Sequence, residues 1–194
     1  MSHVFHRVLN RKLPRAVRAK GGWIEDTDGR RYLDGAGGAI VVGIGHGDRT
    51  LVDAMAEQSA RTSYVHATAF TTDALESYAD AVAPLLPMDD PRIYPVSGGS
   101  EAVETAIKLA RAFHLARGEA SRTLVIGRRS SYHGNTLAAL DAGGKEALRR
   151  PYEPWLGRFQ HVDAAYEFRC ASPGHPAGCG AWHAERLDRA IVEA

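Results

Sequence analysis

A glycine-rich turn between a short apolar segment and a long helical pattern constrains this chain most. The turn, Ser-Gly-Gly-Ser at residues 97–100, follows the apolar residues 93–96 and opens a predicted helix that runs to about Arg117. The first N–H groups of a helix have no partner within it, and the helix dipole places partial positive charge there. Glycines let the backbone approach a ligand, and a serine hydroxyl adds a donor. We therefore expect a strand, turn and helix that bind a phosphate group.

Composition excludes several classes of protein. The chain has 194 residues, 44% of them hydrophobic and 24% charged, with a formal net charge of +1. These values are typical of globular proteins, and so small a net charge creates no field that favours nucleic acid or a membrane surface. No apolar run approaches the roughly 20 residues of a membrane span, and the basic start lacks the apolar core of a signal peptide. Two cysteines do not suggest a disulfide scaffold, so we expect a cytoplasmic protein.

Hydrophobic periodicity and turn residues predict an alternation of strands and helices. The turn pair Asp28-Gly29 between two apolar runs is typical of a β-hairpin. The long stretch at residues 141–183 has little periodicity, and a loop of that length is usually functional or covered by a partner. The predicted elements are a loosely held arm at 1–20, a hairpin at 22–34, a loop or short strand at 35–47, helices at 49–62 and 72–86, the helix after the glycine turn, a buried strand at 123–126, a loop at 141–183 and a helix at 184–194.

The sequence Tyr132-His133-Gly134 follows the second predicted strand. Strand, helix and strand in this order indicate a parallel α/β sheet, and such sheets bind ligands at the carboxyl ends of their strands. An aromatic ring there can stack on a flat ligand. Together with the phosphate site predicted at the turn, this leads us to expect that the ligand is a small aromatic phosphate. The turn lacks the lysine of an NTPase P-loop and the Gly-x-Gly-x-x-Gly pattern of a dinucleotide site, which makes a nucleotide-binding module a weak alternative.

Three segments carry a resemblance to a known family. Residues 97–111 resemble the phosphate-binding segment of class III aminotransferases, and residues 131–136 resemble the second marker of these enzymes, Tyr-His-Gly. Residues 28–34 followed by 45–47 resemble their N-terminal pattern. The resemblance implies an α/β, pyridoxal-phosphate-dependent transferase fold like that of aspartate aminotransferase. Residues 1–50 would form an arm and a small-domain segment, and residues 51–194 an incomplete large domain with part of its parallel sheet.

The resemblance also implies site residues for pyridoxal 5′-phosphate. A turn and an aromatic ring would hold the cofactor, with a histidine beside the ring: Gly98, Gly99, Ser100, Tyr132 and His133. Ile40 and Val41 would line the substrate pocket, although an edge strand packed on the small domain explains them equally well. An ordinary helix N-cap at the turn, a core tyrosine and a structural histidine are the alternatives for the other positions.

The lysine that such enzymes need for covalent catalysis has no counterpart here. The four lysines are Lys12, Lys20, Lys108 and Lys145. None occupies the family's position for the Schiff-base lysine, and we expect Lys108 to pair with Glu104 one helical turn away. The chain is therefore interpreted as the N-terminal part of an aminotransferase, with no catalytic residue of its own, and we expect no transaminase turnover from it alone.

Several functions remain open at this level. The full enzyme would move an amino group from an amine or amino acid to a 2-oxo acid, and the family implies a homodimer with interfacial active sites. An aminomutase or racemase of the same family would carry the same three segments. A non-catalytic, cofactor-binding or purely structural remnant is also compatible with the missing lysine. No feature of the sequence identifies the amino donor or acceptor.

Two cysteines and two histidines lie close together near the end of the chain. They are Cys170, His175, Cys179 and His183, with spacings of five, four and four residues. This set is able to ligate zinc, but the spacings differ from the usual close cysteine pair, and the family chemistry needs no metal. We expect incidental loop residues and no metal site.

Overall fold

The computed structural model describes residues 3–193, and the chain divides between Ile93 and Tyr94 into two units. The first unit contains an antiparallel sheet in the order β1 (Ala16–Lys20), β2 (Trp23–Asp26) and β3 (Arg31–Leu33). The hairpin predicted at residues 22–34 is confirmed. The prediction of a loosely held arm at residues 1–20 is wrong for residues 16–20, because these residues form β1 and are hydrogen-bonded to β2. The domain boundary predicted at residue 50 stays a prediction.

A buried aspartate closes the hairpin turn. One carboxylate oxygen of Asp26 accepts the backbone N–H groups of Asp28 and Arg30, both at 2.9 Å, and the other accepts the Tyr32 hydroxyl at 2.7 Å. The hydrogen bond from Tyr32 lowers the pKa of the Asp26 carboxyl and outweighs the opposing effect of its burial. Gly29 adopts a φ of +78°, which the turn requires and glycine allows.

Helices complete the first unit. They are α1 (Gly37–Ile40), α2 (Arg49–Arg61) and α3 (Asp73–Val82), followed by a 3-10 turn at Ala83–Leu85. Asp48 caps α2 and Thr72 caps α3, because each side chain accepts the N–H group three residues later. Both predicted helices are therefore confirmed. The glycine-rich segment at 35–47 is a loop with one helical turn, and the alternative of a short strand there is wrong.

The second unit combines a two-stranded parallel sheet with helices. In chain order these elements are α4 (Gly99–Ala116), β4 (Ile126–Arg128), α5 (Leu137–Ala142), α6 (Glu146–Arg149), a 3-10 turn at Arg150–Trp155, β5 (Gln160–Val162), a 3-10 turn at Glu167–Arg169 and α7 (Cys179–Val192). β4 and β5 pair in parallel, as predicted for this half of the chain. None of the helices within residues 3–193 is both long and apolar enough to cross a lipid bilayer.

Three predictions about secondary structure in this part of the chain are wrong. Residues 93–96 form no strand, because Pro95 has no N–H group and no strand within residues 3–193 pairs with them. The strand predicted at 123–126 begins only at Ile126, where β5 provides partners. The predicted loop at 141–183 contains α6, β5 and the start of α7, which are too short or too irregular to give a periodic pattern.

The core of the second unit lies around α5. Ala139, Leu140 and Ala142 are buried, together with the Asp141 side chain. By contrast, none of the described residues of α4 is buried, and Leu109 and Phe113 are 66% and 55% exposed. The apolar side chains of α4 are thus half-buried or exposed among the described residues.

Candidate functional site

The start of α4 presents unused backbone donors. Gly98 is the N-cap residue in an extended conformation, and the Glu101 carboxylate accepts the N–H group of Ser97 at 2.8 Å. The N–H groups of Gly99, Ser100 and Glu101 meet no acceptor within residues 3–193. Because these donors lie at the positive end of an 18-residue helix, they favour an anion.

The two glycines of the turn keep the space beside these donors open. A Cβ atom built on Gly98 or Gly99 would meet no other group within 4 Å. The space beside the backbone of both residues is therefore open, and their role in holding a phosphate stays a prediction.

The loop after β4 packs directly against this helix start. Gly134 is buried with a φ of +140°, and a Cβ atom there would lie 2.5 Å from Ser100 Oγ and 2.9 Å from Ser100 Cα. Ser100 Oγ accepts the N–H group of Asn135 and donates to its side-chain oxygen, both at 3.1 Å. The structure thus brings the turn at 97–100 and the Tyr-His-Gly segment together. Sequence reasoning gave Asn135 no role, although it directly follows that segment.

Tyr132 and His133 lie exposed on the same loop. The Tyr132 side chain is 58% exposed, and the Lys145 ammonium lies 5.5 Å from the centroid of its ring. His133 makes no hydrogen bond within the described part of the chain. Beside Tyr132 lies a cavity of about 380 Å³, which is also lined by Gly134, Asn135, Leu137, Leu140, Leu148, Tyr152 and Trp155.

A second contact from α4 holds the loop in place. Glu104 accepts the N–H groups of Ala138 and Ala139, at 3.1 and 3.2 Å, and so caps the start of α5. The predicted pair between Glu104 and Lys108 is wrong, because the carboxylate satisfies these two donors instead. No local pattern signals this role, since the partners lie 34 and 35 residues away along the chain.

Replacing Glu104 by alanine is expected to destabilise the second unit by about 1–2 kcal/mol, because two N–H groups of α5 lose their acceptor. Lys108→Ala is the matched control on the same helix and should change the free energy of unfolding by less than about 0.5 kcal/mol. Urea unfolding followed by far-ultraviolet circular dichroism measures both. An equal loss of unfolding free energy in the two variants would indicate an ion pair between Glu104 and Lys108 and would contradict the capping role.

The predicted substrate residues lie in the first unit. Ile40 and Val41, at the end of α1, are 94% and 80% exposed, and Ile40 has a φ of +71°, which is rare for a β-branched residue. Asp34 anchors their loop by accepting the N–H group of Gly38 at 3.0 Å and bonding His46 at 2.9 Å. Both contacts lower the pKa of the Asp34 carboxyl, and the hydrogen bond from Gly38 has the larger effect.

Comparison with known proteins agrees with this fold. A family model described as aminotransferase class-III matches residues 7–191. An uncharacterized aminotransferase of Schizosaccharomyces pombe is 37% identical over 178 residues, which are 89% of this chain and 38% of that protein. Putrescine–pyruvate aminotransferase of Pseudomonas aeruginosa is 28% identical over 190 residues, 97% of this chain and 42% of that enzyme.

Solved structures give the same result. An (S)-enantioselective omega-transaminase from Thermomicrobium roseum is 31% identical, with a TM-score of 0.87 over 98% of this chain and 44% of that one. The chain spans about 40% of the length of these proteins. The predicted fold class, that of the pyridoxal-phosphate-dependent transferases, is confirmed. The chain belongs to the class III aminotransferase family.

Proposed function

We propose that this chain supplies the phosphate-binding part of an aminotransferase site for pyridoxal 5′-phosphate. The single observation that carries the proposal is a set of three N–H donors, of Gly99, Ser100 and Glu101, that meet no acceptor among the described residues and lie beside the loop that bears Tyr132. When bound, the cofactor supplies the electron sink that amino-group transfer requires.

The residues of the site divide into three tasks in this proposal. The N–H groups at the start of α4 bind the phosphate, with Gly98 and Gly99 leaving space for it. The Ser100 hydroxyl is already bonded to Asn135, so Ser100 acts on the phosphate through its N–H group and holds the loop through its side chain. The exposed Tyr132 ring offers a face to the pyridine ring, and His133 lies beside it along the chain.

The same proposal includes the substrates of the reaction. An amine or amino acid would donate the amino group and a 2-oxo acid would accept it, with Ile40 and Val41 in contact with the substrate side chain. None of the four lysines of this chain takes the catalytic role, so the chain alone binds cofactor without turnover. The whole enzyme would act as a cytoplasmic homodimer.

Equilibrium dialysis of the 194-residue chain tests the proposal. We expect pyridoxal 5′-phosphate to bind at least tenfold more tightly than pyridoxal, because the donors of α4 hold the phosphate. Gly98→Asp should lower that affinity at least tenfold, since the added carboxylate caps the same N–H groups and repels the phosphate. Gly98→Asn adds a side chain of the same shape as aspartate without its charge. It is the matched control and should lose less affinity for pyridoxal 5′-phosphate.

The Gly98→Asp variant separates binding from folding. Aspartate is a favourable N-cap residue, so circular dichroism should show a helix at least as stable as in the unchanged chain. Equal affinities for pyridoxal 5′-phosphate and pyridoxal, or an unchanged affinity in Gly98→Asp, would contradict the phosphate site. Sustained amino-group transfer to pyruvate by the purified chain would contradict the statement that its lysines take no catalytic role.

A further inference from the structure

Two thiols and two imidazoles converge near the start of α7. The Sγ atoms of Cys170 and Cys179 and a ring nitrogen of His175 all lie within 4.8 Å of one another. His175 Nδ1 is 3.2 Å from Cys179 Sγ, and His183 Nε2 is 3.6 Å from Cys170 Sγ. Chain spacing alone led us to expect incidental loop residues here, but the folded backbone brings Cys170, His175 and Cys179 together and places His183 beside Cys170.

The backbone explains how these residues meet. Cys179 and His183 lie four residues apart on α7 and therefore share one face of the helix. Cys170 follows a 3-10 turn, and the N–H group of the buried Ser172 donates to its sulfur at 3.4 Å. The chain then turns back, because the N–H group of His175 donates to the Ser172 carbonyl at 3.2 Å. A tight turn around the Cys170 sulfur thus faces the first two turns of α7.

The donor set fits zinc in its chemistry, and two sulfur–nitrogen separations fit zinc in distance. Thiolates and imidazoles are the ligands of structural zinc sites, whereas Mg²⁺ and Ca²⁺ prefer oxygen. Bond lengths of about 2.3 Å to sulfur and about 2.0 Å to nitrogen, in tetrahedral geometry, separate a sulfur from a nitrogen ligand by about 3.5 Å and the ligand atoms in general by about 3.3–3.8 Å. The observed 3.2 and 3.6 Å lie close to those separations. The N–H donor to Cys170 is of the kind that supports metal-bound sulfur.

We propose that Cys170, His175, Cys179 and His183 bind one zinc ion. Four protein ligands leave no open position, so the site is structural and not catalytic. The ion joins the irregular segment at residues 170–175 to α7. Because the cluster is independent of the start of α4, the proposal does not rest on the function proposed above.

Metal analysis of the full 194-residue chain tests this site. Protein purified under reducing conditions and incubated with Zn²⁺ should retain one equivalent after gel filtration, measured by inductively coupled plasma mass spectrometry. Co²⁺ in place of Zn²⁺ should give intense tetrahedral absorption bands and a thiolate charge-transfer band. Cys170→Ser and His183→Asn should each weaken Zn²⁺ binding more than about tenfold. His66→Asn removes an exposed histidine outside the cluster and should leave binding unchanged.

Hydrogen exchange gives a readout that does not depend on any variant folding. Removal of Zn²⁺ by a chelator should increase amide exchange in residues 170–183 and not in the hairpin at 22–34. Retention below one tenth of an equivalent by the unchanged reduced chain would overturn the proposal. So would equal Zn²⁺ binding by Cys170→Ser and the unchanged chain.

Discussion

Replacing Gly134 by alanine is expected to lower the affinity for pyridoxal 5′-phosphate more than tenfold. A Cβ atom at this position would lie 2.5 Å from Ser100 Oγ, and the φ of +140° suits only glycine. Backbone strain of about 1–3 kcal/mol and overpacking of about 1–3 kcal/mol would be relieved by moving the loop away from α4. Equilibrium dialysis measures the affinity, and urea unfolding measures the accompanying loss of stability.

Gly118→Ala is the matched control for this prediction. Gly118 lies just beyond the other end of α4 and also has a positive φ, +75°, but a Cβ atom there would meet nothing within 4 Å. We expect a cost of about 1 kcal/mol from strain alone and no change in cofactor affinity. If both variants bind pyridoxal 5′-phosphate equally well, the contact between Gly134 and Ser100 does not shape the binding site.

Replacing Asp141 by alanine is expected to be the most destabilising single substitution in the second unit, by about 3–5 kcal/mol. Asp141 is 3% exposed, and its carboxylate accepts the N–H groups of Gly157, Arg158 and Phe159 at 3.1, 2.8 and 3.2 Å. It also forms an ion pair with Arg149 at 3.1 Å. The substitution leaves three N–H donors without their acceptor and removes the carboxylate that pairs with the largely buried Arg149 guanidinium, although that guanidinium keeps its hydrogen bonds to backbone carbonyls. Urea unfolding at neutral pH measures the loss.

Asp163→Ala provides the control. Asp163 also pairs with two arginines, Arg129 and Arg186, but its side chain is 43% exposed. Exposed ion pairs are worth at most about 1 kcal/mol, so we expect a small effect. A loss at Asp163 as large as that at Asp141 would contradict the view that burial and backbone donors make the difference.

The effect of Asp141 should also depend on pH. Burial raises the pKa of its carboxyl, but the N–H groups of Gly157 and Arg158 and the Arg149 guanidinium together hold the pKa below its ordinary value. The stabilisation is therefore complete above the unfolded pKa of about 3.9 and is lost as the pH falls through the lower folded value. The difference in unfolding free energy between the unchanged chain and Asp141→Ala should shrink accordingly in acid.

Local signals account for the parts of the fold that the sequence predicted well. The turn pair Asp28-Gly29 determines the hairpin, and the capping residues Asp48 and Thr72 determine where two helices begin. These features act within a few residues, so they are readable without knowledge of the fold. Gly118, with its positive φ, likewise ends α4 near the predicted position.

Strands and long-range contacts escaped prediction for a physical reason. A strand exists only where a partner supplies hydrogen bonds, which is why residues 16–20 form β1 and residues 93–96 form none. Glu104 has a lysine at favourable helical spacing, yet it caps α5 across 34 residues of sequence. Rules for pairs at helical spacing do not take into account partners that lie far away along the chain and compete for the same side chain.

The candidate site was predictable only in part. The donors at residues 97–100 follow from the turn and helix pattern, but their proximity to Tyr132 rests on the tertiary contact between Ser100 and Asn135. The cluster of Cys170, His175, Cys179 and His183 shows the same limit, because an irregular segment brings the ligands together at spacings that match no common motif.

Amide nuclear magnetic resonance of the isotopically labelled chain tests the central claim most directly. On addition of pyridoxal 5′-phosphate, the largest shift changes should occur at the N–H groups of Gly99, Ser100 and Glu101 and in residues 132–135. Pyridoxal without the phosphate should leave the three amides of α4 nearly unchanged. Changes centred on Lys20 or Lys145, with none at the start of α4, would mean that the cofactor reacts with lysines and that the proposed phosphate site does not bind it.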